Sequence, residues 1–207
     1  MNRGRFITIE GVEGTGKSTN LALVETQIKK HGYQVLTTRE PGGARTGEKV
    51  RAILLDKEEQ EMTAMTELLL IFAARRQHVE EVIKPALASG MWVISDRFTD
   101  SSYAYQGGGR KLGIQSVADL EAYVLDNFSP DLTILLDLDI SVGLARATKD
   151  SEPDRFEKEQ REFFERVREV YLERATGDHY RIINTGRAID EVQAEIIHII
   201  ECFCSEA

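Results

Sequence analysis

One stretch of this chain constrains its fold more than any other. Residues 11–18 fit G-x-x-x-x-G-K-[ST], the pattern of a phosphate-binding loop. An apolar, β-branched run over residues 6–9 precedes the loop, and a helical pattern follows it with Leu21, Val24 and Ile28 on one face. The loop therefore joins a strand to a helix, which is the context that this motif requires and which predicts an α/β fold.

The residue types in the loop suit the binding of a nucleoside triphosphate. Glycines let the backbone turn its N–H groups inward around an anion, and the helix N-terminus adds its own N–H groups and positive dipole end. Lys17 is expected to reach the β- and γ-phosphates of ATP, and Ser18 to hold Mg²⁺. The predicted ATP-binding residues are Gly11, Val12, Glu13, Gly14, Thr15, Gly16, Lys17, Ser18 and Thr19.

Strand and helix patterns alternate along the rest of the chain. Further apolar runs predict strands at residues 34–38, 91–96, 132–137 and 181–183. A long helix is expected at about residues 63–89, and residues 106–110 are interpreted as a flexible loop. Alternating strands and helices favour a parallel sheet covered on both faces. We therefore predict an α/β P-loop fold, a single domain over residues 1–207 with a five-stranded parallel sheet and a mobile lid at about 146–161.

Charge and composition exclude several classes of protein. The formal net charge is −9, which argues against attraction to nucleic acid or to a membrane surface. No apolar stretch is long enough to span a bilayer, and the N-terminus does not resemble a signal peptide. The two cysteines, Cys202 and Cys204, are too few for a zinc site. We expect a cytoplasmic protein without nucleic-acid or membrane partners.

Charged residues follow two predicted strands at the edge where α/β sheets bind ligands. Asp96 ends an apolar strand and is interpreted as a carboxylate that supports Mg²⁺. Arg39 and Arg97 can point into one cleft, and a guanidinium donates hydrogen bonds to phosphate in pairs. A second phosphate site opposite the loop indicates a nucleoside monophosphate acceptor. The alternative is that both arginines form surface ion pairs with their neighbours.

Six short motifs occur along the chain in a fixed order. They are Gly11 to Thr19, Thr38 to Gly43, Phe72 to Arg75, Asp96 to Phe98, Ala104 to Arg110 and Asp154 to Glu157. Together these motifs resemble the bacterial thymidylate kinase family, and the similarity covers essentially the whole chain. The pieces Arg-Glu-Pro-Gly-Gly at 39–43 and Tyr-Gln-Gly at 105–107 are specific to that family, whereas the phosphate loop alone is not.

The resemblance implies a role for several residues on the acceptor side. Glu13 would accept a hydrogen bond from the 3′-hydroxyl of the acceptor, and Arg39 and Arg97 would hold the acceptor phosphate. Tyr105 would crowd the 2′ position of the sugar and so disfavour ribonucleotides, while Gln106 would bond the edge of the base.

An aromatic residue and an arginine on the long helix would recognise the base. The candidates are Phe72, stacked on thymine, and Arg75, bonded to its edge. In many members of the family these two residues are four apart, so the pairs Ile71 with Arg75 and Phe72 with Arg76 are alternatives. A further alternative is that Phe72 belongs to the hydrophobic core.

The resemblance also implies that charges in the lid approach the transferring group. Arg146 would cover the adenine of ATP. The usual lid arginine aligns with Asp150, whose charge would oppose the reaction, so we expect Lys149 to take the part, with Arg155 or Arg161 as alternatives. The predicted catalytic residues are Lys17, Arg97, Lys149 and Arg155.

The function implied is ATP-dependent phosphorylation of dTMP to dTDP by in-line transfer, as a step in dTTP biosynthesis. The implied cofactors are ATP and Mg²⁺, and the family implies a homodimer. A kinase of another nucleoside monophosphate, such as dGMP or CMP, is the alternative. A GTPase switch would need an Asn-Lys-x-Asp motif, which the chain lacks. A protein that only binds nucleotide would leave Arg39 and Arg97 without a purpose.

Overall fold

The computed structural model describes residues 3–56, 62–147, 155–156 and 159–206. Within these residues it contains one five-stranded parallel sheet with the strand order β2-β3-β1-β4-β5. The strands are β1 (Phe6–Glu10), β2 (Val35–Arg39), β3 (Trp92–Asp96), β4 (Leu132–Asp137) and β5 (Tyr180–Asn184). The predicted α/β fold is confirmed, and the predicted bounds of β4 match its observed bounds.

Helices cover both faces of this sheet. They are α1 (Lys17–Lys30), α2 (Arg45–Leu55), α3 (Ala64–His78), α4 (Lys84–Ala88), α5 (Thr99–Ser102), α6 (Ile114–Leu125), α7 (Ile140–Ala147), α8 (Arg161–Arg174) and α9 (Ile189–Ser205). None of the described helices is long and apolar enough to cross a membrane.

Alternation of side chains along the strands divides the core into two clusters. Phe6, on one face of β1, belongs to the cluster that includes residues of α3 and α8. Ile7 and Ile9, on the opposite face, belong to the cluster that includes residues of α1 and α9. All five residues of β1 are buried because the strand lies between two neighbours and under helices on both sides.

The central position of β1 brings the phosphate loop beside the end of β3. In the parallel register Ile9 lies opposite Asp96, so the loop that follows β1 and the residues that follow β3 leave the same edge of the sheet. This is the edge at which open α/β sheets bind ligands.

The long helix expected at 63–89 is continuous in the structure but changes its winding. Thr63 caps α3 by accepting a hydrogen bond from the backbone N–H of Thr66. A π-helical turn at Val79–Ile83 then joins α3 to α4. Pro85 lies in the first turn of α4, where its missing N–H is tolerated.

The prediction of a flexible loop at residues 106–110 is wrong. Residues Tyr103–Gly109 form a π-helical segment in which Gly107 and Gly109 are buried. A Cβ atom on Gly109 would lie 2.5 Å from the ring of Phe163 on α8. Gly108 and Gly109 are therefore needed for close packing of this segment against α8 rather than for flexibility.

Candidate active site

A cavity of about 540 Å³ lies beyond the carboxyl ends of β1 and β3. Six residues of the phosphate loop and of the start of α1 line it, namely Glu13, Gly14, Gly16, Lys17, Ser18 and Thr19. Five other residues selected from the sequence also line it, namely Arg75, Arg97, Tyr105, Gln106 and Arg146. The structure thus brings most of the predicted site residues to one place.

The phosphate loop has the left-handed backbone that its glycines permit. Gly14 has φ 74° and Gly16 has φ 83°, and Gly16 directly precedes α1. The Lys17 ammonium donates to the carbonyl oxygens of Gly11 at 3.0 Å and Val12 at 2.9 Å. Burial, with a smaller contribution from Arg97, lowers the pKa of Lys17 to about 8.

The phosphate loop also packs directly against α7, a helix that the sequence did not predict. A Cβ atom on Gly14 would lie 2.1 Å from the carbonyl oxygen of Gly143, and one on Gly143 would lie 2.7 Å from the carbonyl oxygen of Glu13. Two glycines therefore allow backbone-to-backbone contact. This contact fixes the loop against α7, whose last turn carries Arg146.

Asp96 and Ser18 have the chemistry expected of magnesium ligands. The Oδ1 atom of Asp96 is buried and has no hydrogen-bond partner among the described residues. Ser18 is exposed at the cavity in the first turn of α1. A buried carboxylate oxygen without a donor fits a hard cation, which prefers oxygen ligands. The residues present therefore fit Mg²⁺.

Arg97 connects the end of β3 to the phosphate loop. Its Nη2 donates to Glu13 Oε1 at 2.9 Å and to the Tyr105 hydroxyl at 3.0 Å. The Tyr105 hydroxyl donates in turn to the Glu13 carboxylate at 2.6 Å. Burial raises the pKa of Tyr105 well above its usual value, so the phenol stays protonated and remains a donor.

Glu10 joins this cluster, although the sequence analysis did not select it. The side chain is 1% exposed at the end of β1. It accepts hydrogen bonds from the backbone N–H of Phe98 at 2.6 Å, from Ser101 Oγ at 2.6 Å and from the Tyr171 hydroxyl at 2.9 Å. Burial raises the pKa of Glu10 to about 7, and Asp100 adds to the rise.

The structure separates the two arginines that the sequence assigned to the acceptor phosphate. Arg97 lines the cavity, whereas Arg39 is 51% exposed and pairs with Glu48 at 2.9 Å. Arg51 of α2 lines the cavity instead and donates to the carbonyl oxygen of Pro41 at 2.9 Å. No motif in the sequence marked Arg51, since it looks like one more charged residue on an amphipathic helix.

The cavity lining distinguishes the residues that the alternative registers on α3 would use. Ile71 and Arg75, four residues apart, both line it. Phe72 is 1% exposed within the hydrophobic core and has the Arg75 guanidinium 4.7 Å from its ring centroid. Arg76 points away, with Nη1 donating to the carbonyl oxygen of Val124 at 2.6 Å. The structure therefore favours the pair Ile71 with Arg75, and Phe72 packs in the core.

Arg75 is held rigidly by buried partners. Its Nε donates to Glu40 at 2.6 Å, and its Nη atoms donate to Ser102 Oγ and to the carbonyl oxygen of Phe98, each at 2.9 Å. His78, one turn further along α3, contacts the other Glu40 oxygen at 2.9 Å. This network fixes the guanidinium at the wall of the cavity.

A further buried carboxylate, Glu67, joins Gln106 at the cavity to Arg155 in the predicted lid. It accepts from Gln106 Nε2 at 2.7 Å, from Arg155 Nη2 at 2.6 Å and from Arg110 Nε at 3.2 Å. Gln106 Oε1 is buried and has no partner among the described residues, which leaves it available to a base. Arg110 also pairs with Glu159.

The predicted lid is described only in part. Arg146, in the last turn of α7, lines the cavity, and its Nη1 lies 3.4 Å from the carbonyl oxygen of Thr185. Arg155 is bonded to Glu67 and to the carbonyl oxygen of Leu54. Arg161 is exposed at the start of α8 and pairs with Glu165. Lys149, the expected catalytic charge, lies outside the described residues, as does Asp150.

Comparisons with known proteins agree on one family. The family model described as thymidylate kinase matches residues 9–196. A curated thymidylate kinase of Ectopseudomonas mendocina is 52% identical over 93% of each chain, and one of Nitrosospira multiformis is 52% identical over 94% of this chain and 95% of its own. A crystal structure of thymidylate kinase from Ehrlichia chaffeensis has a TM-score of 0.77 at 31% identity and covers 96% of this chain and 99% of its own.

Proposed function

The chain belongs to the thymidylate kinase family, and from that premise we propose that it transfers the γ-phosphoryl group of ATP to dTMP. It is a nucleoside monophosphate kinase, a phosphotransferase that uses ATP as donor. An oxygen of the acceptor phosphate attacks the γ-phosphorus, the bond to the β–γ bridging oxygen breaks, and dTDP and ADP leave.

One observation carries the proposal. The phosphate loop and two arginines, Arg51 and Arg97, line a single cavity. A triphosphate on the loop and a second phosphate between the arginines would place acceptor and donor phosphates together. Because the acceptor oxygen is already ionised, no general base is needed, and the protein acts by positioning and by neutralising charge.

On the donor side, Lys17 would move from the loop carbonyl oxygens to the β- and γ-phosphates. The loop N–H groups and the start of α1 would bind the phosphate oxygens. Ser18 and Asp96 would hold Mg²⁺, which supplies charge neutralisation on the transferring phosphoryl group. Arg146, at the end of α7, would lie against the adenine.

On the acceptor side, a different set of cavity residues would recognise the sugar and the base. Glu13 would accept from the 3′-hydroxyl, and Tyr105, which already bonds Glu13, would fill the space at the 2′ position. Arg75 and the unpartnered oxygen of Gln106 would bond the edge of the base. The acceptor phosphate would be held by Arg97 together with Arg51, whereas Arg39 lies on the surface with Glu48.

The cationic residue that completes the lid stays a prediction. Lys149 is still expected to approach the transferring phosphoryl group. Arg155 is a weaker candidate because its guanidinium is bonded to Glu67 and to the carbonyl oxygen of Leu54, and these bonds would have to break first.

The proposal extends to the organisation of the protein. We infer a single domain over residues 1–207, since the strands of one sheet come from both ends of the chain. The homodimer, which the family resemblance implies, and the cytoplasmic location, which the sequence composition implies, remain predictions.

A substrate panel tests the proposed function. ADP release should be measured with ATP and Mg²⁺ and with dTMP, dUMP, dGMP or CMP as acceptor at matched concentrations. We expect the highest kcat/KM for dTMP, with little turnover when no acceptor is present. A higher value for a purine nucleotide or for CMP would reassign the acceptor, and acceptor-independent hydrolysis of ATP would contradict a kinase.

A further inference from the structure

We propose that Glu10 is a positioning residue that holds Arg97 in place to grip the acceptor phosphate. This inference rests on the proposed function, because Arg97 is there assigned to that phosphate. Glu10 ends β1, the central strand, and is buried beneath Arg97 rather than facing the cavity. It acts on the backbone and on the side chain of Arg97 through different oxygen atoms.

The first contact fixes the backbone that follows Arg97. Arg97 has φ 72°, in the left-handed region that non-glycine residues rarely adopt. Glu10 Oε1 accepts from the N–H of the next residue, Phe98, at 2.6 Å. Because the carboxylate belongs to β1, this bond ties the left-handed turn to the buried central strand of the sheet.

The second contact fixes the guanidinium through two hydroxyl groups. Ser101 Oγ and the Tyr171 hydroxyl lie 2.6 and 2.9 Å from Glu10 Oε2. The Arg97 Nη1 atom donates to the same two oxygens, at 3.2 Å to Ser101 and 3.1 Å to Tyr171. Each hydroxyl therefore connects Glu10 on one side with Arg97 on the other.

The carboxylate determines the direction of these hydrogen bonds. An ionised carboxylate only accepts, so the hydroxyl protons are shared between Glu10 and the 2.8 Å contact that joins the two hydroxyl oxygens, which leaves oxygen lone pairs for Arg97. An amide nitrogen at the same position would donate instead, and a hydroxyl that accepts from it has less capacity to accept from Arg97. The arrangement thus depends on the chemistry of Glu10 and not only on its size.

Charges from several elements surround Glu10. Arg97 favours its ionised form, while Asp100, which pairs with Arg174 on α8, disfavours it. The negative charge of Glu10 also acts on Lys17, where it raises the pKa of the ammonium group. The carboxylate is therefore coupled electrostatically to Lys17 and Arg97, the residues proposed to bind the donor and acceptor phosphates.

The test compares binding of dTMP with binding of thymidine, which lacks the phosphate. Calorimetry on the full chain gives both dissociation constants for the wild type and for Glu10→Gln. We expect Glu10→Gln to weaken dTMP binding about tenfold or more, as for loss of a hydrogen bond to a charged group, while thymidine binding changes less than twofold. The KM for dTMP should rise by a similar factor and the KM for ATP should not.

Two further variants keep the proposal falsifiable. Tyr171→Phe, which removes one connecting hydroxyl, should give a smaller loss with the same selectivity for dTMP over thymidine. Thr133→Val, at a buried hydroxyl in the neighbouring strand that bonds Thr8, controls for a general effect of altering the sheet and should leave both ligands unaffected. Thermal unfolding confirms that each variant is folded.

The outcomes separate this proposal from the proposed function. A wild type that binds dTMP no more tightly than thymidine would show that the acceptor site itself is misassigned. A wild type that prefers dTMP, with a Glu10→Gln variant that keeps the full preference, would overturn the role of Glu10 alone. Equal losses for dTMP and thymidine in Glu10→Gln and in Tyr171→Phe would also overturn it, because they indicate a general structural effect.

Discussion

At the scale of single residues, Arg97 combines a strained backbone with a fully engaged side chain. Its left-handed φ of 72° costs on the order of 1 kcal/mol or more, which a glycine would avoid. Glycine has no guanidinium, however, and the guanidinium bonds Glu13, Ser101, Tyr105 and Tyr171. The strained backbone thus occurs at a residue, Arg97, whose guanidinium is needed for the proposed function.

The lowered pKa of Lys17 predicts how activity depends on pH. As pH rises through about 8, the ammonium of the free enzyme loses its proton and its attraction for the phosphates of ATP. We expect kcat/KM for ATP to fall about tenfold per pH unit above that value. The free energy of unfolding should instead rise between about pH 8 and pH 10.5. Over this range the unfolded chain still binds the Lys17 proton, whereas the folded chain has released it and no longer buries a charge.

A pH profile from 6 to 10, with ATP varied at saturating dTMP, measures the first effect. Urea unfolding at the same pH values measures the second. A kcat/KM that stays level to pH 10 would contradict the assignment of Lys17.

Two arginines, one at the cavity and one on the surface, give a matched pair of variants. Arg51→Ala should raise the KM for dTMP about tenfold, because Arg51 lines the cavity, and should leave the KM for ATP nearly unchanged. Arg39→Ala removes the same side chain on the surface and should change either KM less than twofold. Steady-state kinetics with both substrates decides, and a large effect confined to Arg39→Ala would restore the assignment made from the sequence.

Ile71 and Phe72 are expected to separate substrate recognition from stability. Phe72→Ala should lower the free energy of unfolding by about 3–5 kcal/mol, since it empties a fully buried site in the core. Ile71→Ala should weaken dTMP binding several-fold, because Ile71 lines the cavity. It should lower the free energy of unfolding by less than Phe72→Ala does. Chemical unfolding and the KM for dTMP measure the two effects, and a Phe72→Ala variant with altered base preference and normal stability would reverse the assignment.

At the scale of elements, local pattern predicted the sheet better than the segments around the site. Apolar runs identified β1, β3 and β4 because buried parallel strands are continuously apolar. The edge strands β2 and β5 are partly exposed and have only short apolar stretches. The segment Tyr103–Gly109 was misjudged because three glycines favour a loop locally, whereas close packing against α8 decides its structure. Helix α7 was missed because it has only eight residues, with a glycine in its interior.

The same limit applies to site residues. The phosphate loop could be predicted because all its members are consecutive in sequence. Glu10 could not, because its partners Phe98 and Tyr171 are 88 and 161 residues away and a strand-end carboxylate has no local signature.

The contact between α7 and the phosphate loop gives a prediction at this scale. Gly143→Ala would place a methyl group 2.7 Å from the Glu13 carbonyl oxygen and so push the two elements apart. Overpacking of this kind costs about 1–3 kcal/mol, and we expect it to appear mainly as a raised KM for ATP. Val142→Ala, an exposed position on the same helix, is the control and should have no such effect. Unchanged ATP kinetics in Gly143→Ala would mean that the loop does not depend on α7.

At the scale of the whole molecule, α3 has an apolar surface that the described residues leave exposed. Met65 and Leu69 are spaced by one turn and are 44% and 51% exposed. If the predicted homodimer forms through this helix, Leu69→Glu should raise its dissociation constant at least tenfold, because it places a charge in the interface. Leu172→Glu, at an exposed leucine of α8, serves as the control.

Sedimentation velocity over a range of protein concentrations measures this association. A dimer that persists unchanged in Leu69→Glu, or that is lost equally in Leu172→Glu, would place the interface elsewhere.

The buried carboxylate of Glu67 has a consequence for how the sequence of this enzyme can change over evolution. Together with Glu159, which also pairs with Arg110, it neutralises Arg110 and Arg155, which come from two segments far apart in the chain. Replacing Arg155 alone leaves the remaining charges unbalanced, and replacing Glu67 alone leaves two cations facing each other with a partly unsatisfied Gln106. A substitution at any one of these positions is therefore destabilising unless another of them changes as well. Across an alignment of relatives, Glu67 and Arg155 should vary as a correlated pair.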